Sequence, residues 1–187
     1  MNLPDAAIPT SAAHGTQRVF FACWPDAEAR QRLADLAQAL ALEGGRPVRA
    51  ANLHLTLAFI GATTPAQVEQ LQAAASHLTR LAPSDFRLDR VGYWRHAGVV
   101  WAGCHDVPSG CRRLHAALVD ALRLAGVPAD PRPWIPHVTL VRHGRGDRLP
   151  DWRETIAWTL DRFSLVASEL HPSGARYRIL QEWPLRG

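Results

Sequence analysis

Cysteine is scarce in this chain, with only Cys23, Cys104 and Cys111 among 187 residues. An odd set without framework spacing excludes a disulfide-stapled secreted module and favours a reducing compartment. No run approaches the ~18 consecutive apolar residues of a membrane span. Residues 1–17, MNLPDAAIPTSAAHGTQ, lack the apolar centre of a signal peptide, so the expectation is a cytoplasmic protein with a flexible N-terminal tail. Long lysine and arginine runs, the mark of a nucleic-acid-binding tail, are missing too. Gly44-Gly45 is not followed by Gly-Lys-Ser/Thr, which removes a P-loop nucleotidase. No Gly-x-Ser-x-Gly elbow occurs, which removes serine-nucleophile hydrolysis.

The chain is 47% hydrophobic and 20% charged, the balance of an ordinary globular domain, and its length suits one core rather than two. Seven tryptophans add large amphipathic surfaces. The net charge of +4 suits a polyanionic partner such as RNA, held in a site rather than on a tail. No apolar stretch is left over to demand a partner subunit, so the expected state is a monomer.

Along the chain, RVFFACW (Arg18 to Trp24) reads as a strand, with Pro25-Asp26 opening a helix that runs to Leu42 before Gly44-Gly45. NLHLTLAFIG is a second strand, and Thr63-Thr64-Pro65 caps a helix running to about Leu81. FRLDRVGYW and GVVWAGC read as a hairpin, followed by a helix over Ser109 to Leu124. A proline-rich loop, AGVPADPRPWIP, leads into the strand HVTLVR. WTLDRFSLVASEL and ARYRILQEW read as two closing strands.

The informative feature is a repeat: His54-Leu55-Thr56-Leu57 recurs as His137-Val138-Thr139-Leu140. Strand side chains alternate faces, so His54 and Thr56 share one face, while Leu53, Leu55, Leu57 and Phe59 share the other. His137 and Thr139 stand apart from Val138 and Leu140 in the same way. One such face is an ordinary amphipathic strand. Two of them, in similar halves, would bring two imidazoles together. Each has an ordinary pKa of ~6.5, so one can accept a proton while the other donates one. The threonine hydroxyls can donate to phosphate oxygens, and the scheme requires no metal or cofactor.

These motifs, together with RVFFA, GRPV, RPWIPHVTLVR and a closing F-L-V-A-S, RY, WPL pattern, resemble the two-histidine phosphoesterase superfamily, in its RNA 2',3'-cyclic phosphodiesterase (2'-5' RNA ligase) branch. The resemblance implies an α+β fold: residues 18–187 as a single two-lobed, pseudo-twofold domain, its antiparallel sheets lining a central cleft with helices packed outside. It implies hydrolysis of a terminal RNA 2',3'-cyclic phosphate to a 2'-phosphate, with reversible 2'-5' ligation as a side activity. The catalytic residues carried over are His54 and His137, with Thr56 and Thr139 on the phosphate. His54 is assigned as acid and His137 as base, a polarity the residues themselves leave open. Arg142 matches the family's basic residue, although strict parity turns it away from His137 and Thr139; a bulge must bring it inward. Phe20 is the matching aromatic for stacking on the terminal base, and Trp134 is a further candidate wall.

Competing readings are a binding module that captures phosphate ends without turnover, and hydrolysis of another cyclic phosphate or a 2'-5' linkage in the same cleft. A zinc site from Cys104, Cys111 and His115 lacks a fourth ligand and a recognised spacing. The cysteines read better as small buried residues, with His115 on a helix surface.

Overall fold

The computed structural model describes residues 15–41, 45–127, 132–144, 149, 152–169, 171 and 174–187. Most of the expected tail, residues 1–14, lies outside the described residues, and Gln17, assigned to that tail, already opens the first strand. The first half contains β1 (Gln17–Cys23), α1 (Ala27–Leu40), β2 (Arg46–Pro47), β3 (Leu55–Thr63), α2 (Pro65–Ser76), β4 (Ser84–Leu88) and β5 (Arg90–Trp94). The second contains β6 (Val99–Gly103), α3 (Ser109–Leu124), β7 (His137–Arg142), β8 (Ile156–Leu160), β9 (Arg162–Glu169) and β10 (Arg176–Pro184).

Local chemistry sets the helix starts. Asp26 accepts from the Ala29 amide at 2.8 Å, and Thr64 and Gln67 form a reciprocal capping box ahead of Pro65. α2 ends at Ser76 in a short 3-10 turn over His77–Arg80, so the helix expected to reach Leu81 tightens in its last turn. α3 buries Cys111, Leu114, Leu118 and Leu122, one stripe at helical spacing.

The main sheet runs β10-β9-β1-β3-β7-β6-β5, antiparallel throughout, with β2 beside β7. Its two wings, β9-β1-β3 and β5-β6-β7, mirror one another about the β3/β7 seam. That seam is a single residue pair, Leu55 with Val138, beyond which the strands splay and open a cleft. On the opposite face the helices cross between halves: α1, which follows β1, packs on β7, and α3, which follows β6, packs on β3. The leucines between them form one continuous core, which includes Leu55, Leu57, Val138 and Leu140.

Two expected strands are each two strands in the fold. The run from Phe86 to Trp94 breaks at Asp89, and the run from Trp158 breaks at Asp161. At both breaks the chain passes from a separate ribbon, β4 paired with β8, into the main sheet as β5 and β9. Asp89 fixes the first switch, its carboxylate accepting from the His105 amide at 2.8 Å and its amide donating to Gly103 at 2.9 Å. Changing sheets lets Phe86 and Trp158 pack edge to face in the core, centroids 5.0 Å apart. The expected hairpin survives as β5-β6, closed by Gly98 at φ +59°, a left-handed turn position suited to glycine.

Candidate active site

His54 immediately precedes β3 and His137 opens β7, so both imidazoles stand where the two strands part. Each ring is anchored in the same way. Nδ1 of His54 donates to the Asn52 carbonyl and Nδ1 of His137 to the Ile135 carbonyl, both at 2.7 Å. A carbonyl only accepts, so Nδ1 carries the hydrogen and the neutral ring leaves Nε2 as its basic atom.

The next residues depart from strand parity at both motifs, by the same device. In the β3/β1 ladder Thr56 pairs with Ala22 and Ala58 with Phe21, leaving Leu57 as a bulge. In the β7/β6 ladder Thr139 pairs with Trp101 and Val141 with Val100, leaving Leu140 as a bulge. One extra residue reverses the alternation. Ala58 and Val141 become buried, while Phe59 and Arg142, each three positions after a motif threonine, turn to the cleft. Arg142 therefore reaches the site as the sequence required. Phe59, expected on the core face with the leucines, is instead 38% exposed, because the bulge at Leu57 precedes it.

The cleft has two halves. One, of about 390 Å³, is lined by His54 with Thr139 and Arg142, and by Arg46, Asn52 and Tyr177. The other, of about 670 Å³, is lined by His137 with Thr56 and Phe59, and by Trp94, Trp134 and Ile135. Each half thus combines the histidine of one motif with the threonine of the other. Together the two halves present two hydroxyls and two imidazoles.

Burial sets the electrostatics. It pushes the His54 imidazole down to about 4, aided by the charges of His137 and Arg142 and opposed by the bond to Asn52. His137 is lowered too, again mainly by burial, then by Arg142 against the pull of its Ile135 bond. Both rings are thereby held toward the neutral form.

A family model described as LigT like phosphoesterase matches residues 24–101 and 104–177, more than half of the chain. The chain belongs to the LigT-like phosphoesterase family. It is 33% identical over 171 residues to the RNA 2',3'-cyclic phosphodiesterase of Escherichia coli (strain K12), covering 90% of this chain and 97% of that protein. It is 31% identical over 180 residues to the protein of the same name from Thermus thermophilus, covering 91% of each. The crystal structure of E. coli LigT complexed with 3'-AMP matches it with a TM-score of 0.84 at 32% identity, over 92% of this chain and 99% of that one. The LigT-like α+β architecture inferred from sequence is therefore the one observed.

Within this LigT-like cleft the aromatic residues are arranged differently from the sequence reading. Phe20 does share a face with Ala22 and Trp24, but it is only 4% exposed. It packs behind His54 and Tyr177, with centroids 4.9 and 5.0 Å away, and so backs the site rather than lining it. Tyr177, on β10, is the aromatic that faces the cleft there, its ring edge-on to His54 at 5.3 Å. On the other side Trp94 meets His137 edge-on at 4.5 Å. Its neighbour Trp101 lies over Gly92 and Gly103, where any Cβ would collide with the indole.

His115 is not a free helix-surface residue. Its ring stacks on Trp134, centroids 4.0 Å apart and 8° from parallel, and Nδ1 donates to the carbonyl of the bulged Leu57 at 2.9 Å. Trp134 Nε1 donates to the Thr56 carbonyl at 3.0 Å. These side chains occupy strand-edge carbonyls that the splayed seam leaves without a ladder partner. At the second bulge the Leu140 carbonyl accepts from the Val48 amide at 2.8 Å. Cys104 and Cys111 are buried thiols, with burial pushing Cys111 up to about 12. Among the described residues no three His, Cys, Asp or Glu side chains are grouped to hold a metal ion.

Proposed function

We propose that this LigT-like enzyme opens the 2',3'-cyclic phosphate at the end of an RNA chain with water, leaving a 2'-phosphate and a 3'-hydroxyl. When a 5'-hydroxyl RNA end replaces water, the same chemistry joins the two ends through a 2'-5' bond. The observation that carries this reading is the pair of imidazoles across one seam, each anchored through Nδ1 and each accompanied by a threonine. The names of the E. coli and T. thermophilus relatives, and the 3'-AMP held by E. coli LigT, support the substrate class.

The cyclic phosphate enters between the motifs, its non-bridging oxygens accepting from the Thr56 and Thr139 hydroxyls and from the Arg142 guanidinium. The nucleoside occupies the half around His54, its base against Tyr177 with Phe20 behind. After P–O3' cleavage the leaving oxygen stays attached to that ribose, so His54 is the group beside it and delivers the proton. Water attacks from the opposite side of phosphorus, where His137 takes its proton. Burial depresses the His54 pKa to about 4, so its role as acid depends on the substrate's negative charge raising it. A positioned acid or base of this kind contributes ~10²–10⁴ in rate.

Free buried cysteines suit a reducing cytoplasm, and no helix among the described residues is long and apolar enough to cross a membrane. The working assembly is a monomer, because both motifs that build the cleft lie on one chain. A substrate panel tests the proposal: RNA with a 2',3'-cyclic phosphate end, nucleoside 2',3'-cyclic monophosphates, and 2'-5' linked oligonucleotides, each with chelator present and the product isomer identified. Preferential, chelator-resistant conversion of the first to a 2'-phosphate supports it. Exclusive 3'-phosphate products, loss of activity with chelator, or binding without turnover would sink it.

A further inference from the structure

The half of the cleft around His137 is larger than hydrolysis requires. A cavity of ~10–15 Å³ already holds a water molecule, whereas this groove measures about 670 Å³. Its lining is mainly apolar, with Phe59 38% and Ile135 45% exposed beside Trp94 and Trp134; Arg132 also lines it, and the Arg18 guanidinium lies 5.5 Å from the Phe59 ring centroid. Phe59 reaches it through the Leu57 bulge, the counterpart of the Leu140 bulge that turns Arg142 into the other half. Where one motif presents a guanidinium for phosphate, the other presents a ring. Exposed rings beside a phosphate site form a platform on which any base can stack.

We propose that this groove is the subsite for the nucleoside at the 5'-hydroxyl end of a second RNA strand, the attacking partner in 2'-5' joining. The inference rests on the cyclic phosphodiesterase reading above. It follows from in-line displacement: with the cyclic-phosphate nucleoside in the His54 half, the attacking oxygen must approach from the His137 half. The 5'-oxygen forms a bond to phosphorus as its proton passes to Nε2 of His137, the P–O3' bond breaks, and O3' takes the proton from Nε2 of His54. The product is a 2'-5' phosphodiester beside a free 3'-hydroxyl. No co-reactant is consumed, and the same contacts serve the reverse reaction.

The test uses RNA ending in a 2',3'-cyclic phosphate with increasing amounts of a 5'-hydroxyl oligonucleotide, and counts the 2'-phosphate and the 2'-5' joined product in the same reaction. Joined product should saturate with acceptor. Phe59→Ala, and Val119→Arg, which fills the groove from α3, should each raise the acceptor KM by roughly tenfold or more. The donor KM should change much less, and Phe59→Tyr, which keeps the ring, should restore acceptor binding. An acceptor KM that neither variant moves overturns the assignment, as does a donor KM that rises in step, which would place the donor strand in this groove. So does a wild-type enzyme that hydrolyses the cyclic end and never joins. Absence of hydrolysis by the wild type removes the underlying reading instead, and this inference with it.

Discussion

The two halves of the cleft are made from the same strand pattern and end with opposite characters. Around His54 the lining carries Arg46, Arg49, Arg142 and Tyr177; around His137 it is mainly aromatic, with Phe59, Trp94 and Trp134 beside Arg132. Both halves keep what proton transfer needs, an imidazole anchored through Nδ1 and a threonine. Both use a one-residue bulge to bring the third residue beyond that threonine to the surface. They differ in what the bulge delivers, Arg142 in one and Phe59 in the other. The repeat therefore preserves the paired imidazoles and threonines and varies their flanks, which on the proposed mechanism would let a symmetric scaffold distinguish the two sides of a phosphorus atom.

The sharpest way to break that comparison is to remove one histidine at a time. His54→Ala and His137→Ala should each lower kcat/KM for the cyclic phosphate by ~10²–10⁴. Their roles separate with a substrate in which sulfur replaces the bridging 3'-oxygen, because a thiolate leaves without protonation. That substrate should rescue His54→Ala and leave His137→Ala defective. Rescue of His137→Ala alone would reverse the assigned polarity, and equal rescue of both would abolish it.

Much of this site could be read from the sequence because its spacing is local. The His54/Thr56 and His137/Thr139 pairs follow from a period of two, and the α3 boundaries from a stripe of buried residues at helical spacing. The bulges were not legible. Leu57 and Leu140 are ordinary strand residues, and only the register against β1 and β6 shows that they are extra. Arg142 signalled the problem, since its expected role conflicted with parity, while Phe59 gave no such sign and was assigned to the core. The sheet switches at Asp89 and Asp161 were hidden for a related reason: strand propensity continues through a change of partner. Tyr177 and His115 come from remote segments, β10 and α3, and their places depend on tertiary packing that no local pattern encodes.

The next contrast concerns the flanks. Arg142→Ala should lower kcat/KM by roughly 10- to 100-fold, the loss expected for a charged hydrogen bond to phosphate, and should weaken the salt dependence of kcat/KM. Phe59→Ala should leave the salt dependence as it is, because the ring carries no charge to be screened. A salt dependence that responds to Phe59 and not to Arg142 would exchange the two flanks.

The burial of His54 makes a prediction about pH. In the unfolded chain this imidazole titrates near ~6.5; in the fold it lies at about 4. Between these values the unfolded chain binds the extra proton, so this contribution to stability is present above ~6.5 and is lost as the pH falls toward 4. His54→Gln should therefore make the fall in stability between pH 7 and 4.5 shallower by about 2 kcal/mol in urea titrations. The same shift acts on turnover. Bound phosphate raises both imidazoles, so the optimum for kcat/KM, which reports the free enzyme, should be more acidic than that for kcat. Coincident optima would show that the substrate's charge does not set the proton on the acid.

The smallest effect lies behind Thr56, where the two halves differ in how the bulge is held. Leu140 has its carbonyl occupied by a backbone amide, that of Val48, whereas Thr56 and Leu57 rely on the side chains of Trp134 and His115. Trp134→Phe removes the N–H donated to Thr56 while keeping a ring to stack on His115, and should cost about 1 kcal/mol of stability. If Trp134 acts by positioning Thr56, its few-fold effect on kcat/KM should vanish in a Thr56→Val background, because the hydroxyl being aimed is gone. Fully additive losses would show that Trp134 only packs. The Thr139 side should tolerate changes at Val48 that keep the backbone amide, since that amide is the group holding the bulge.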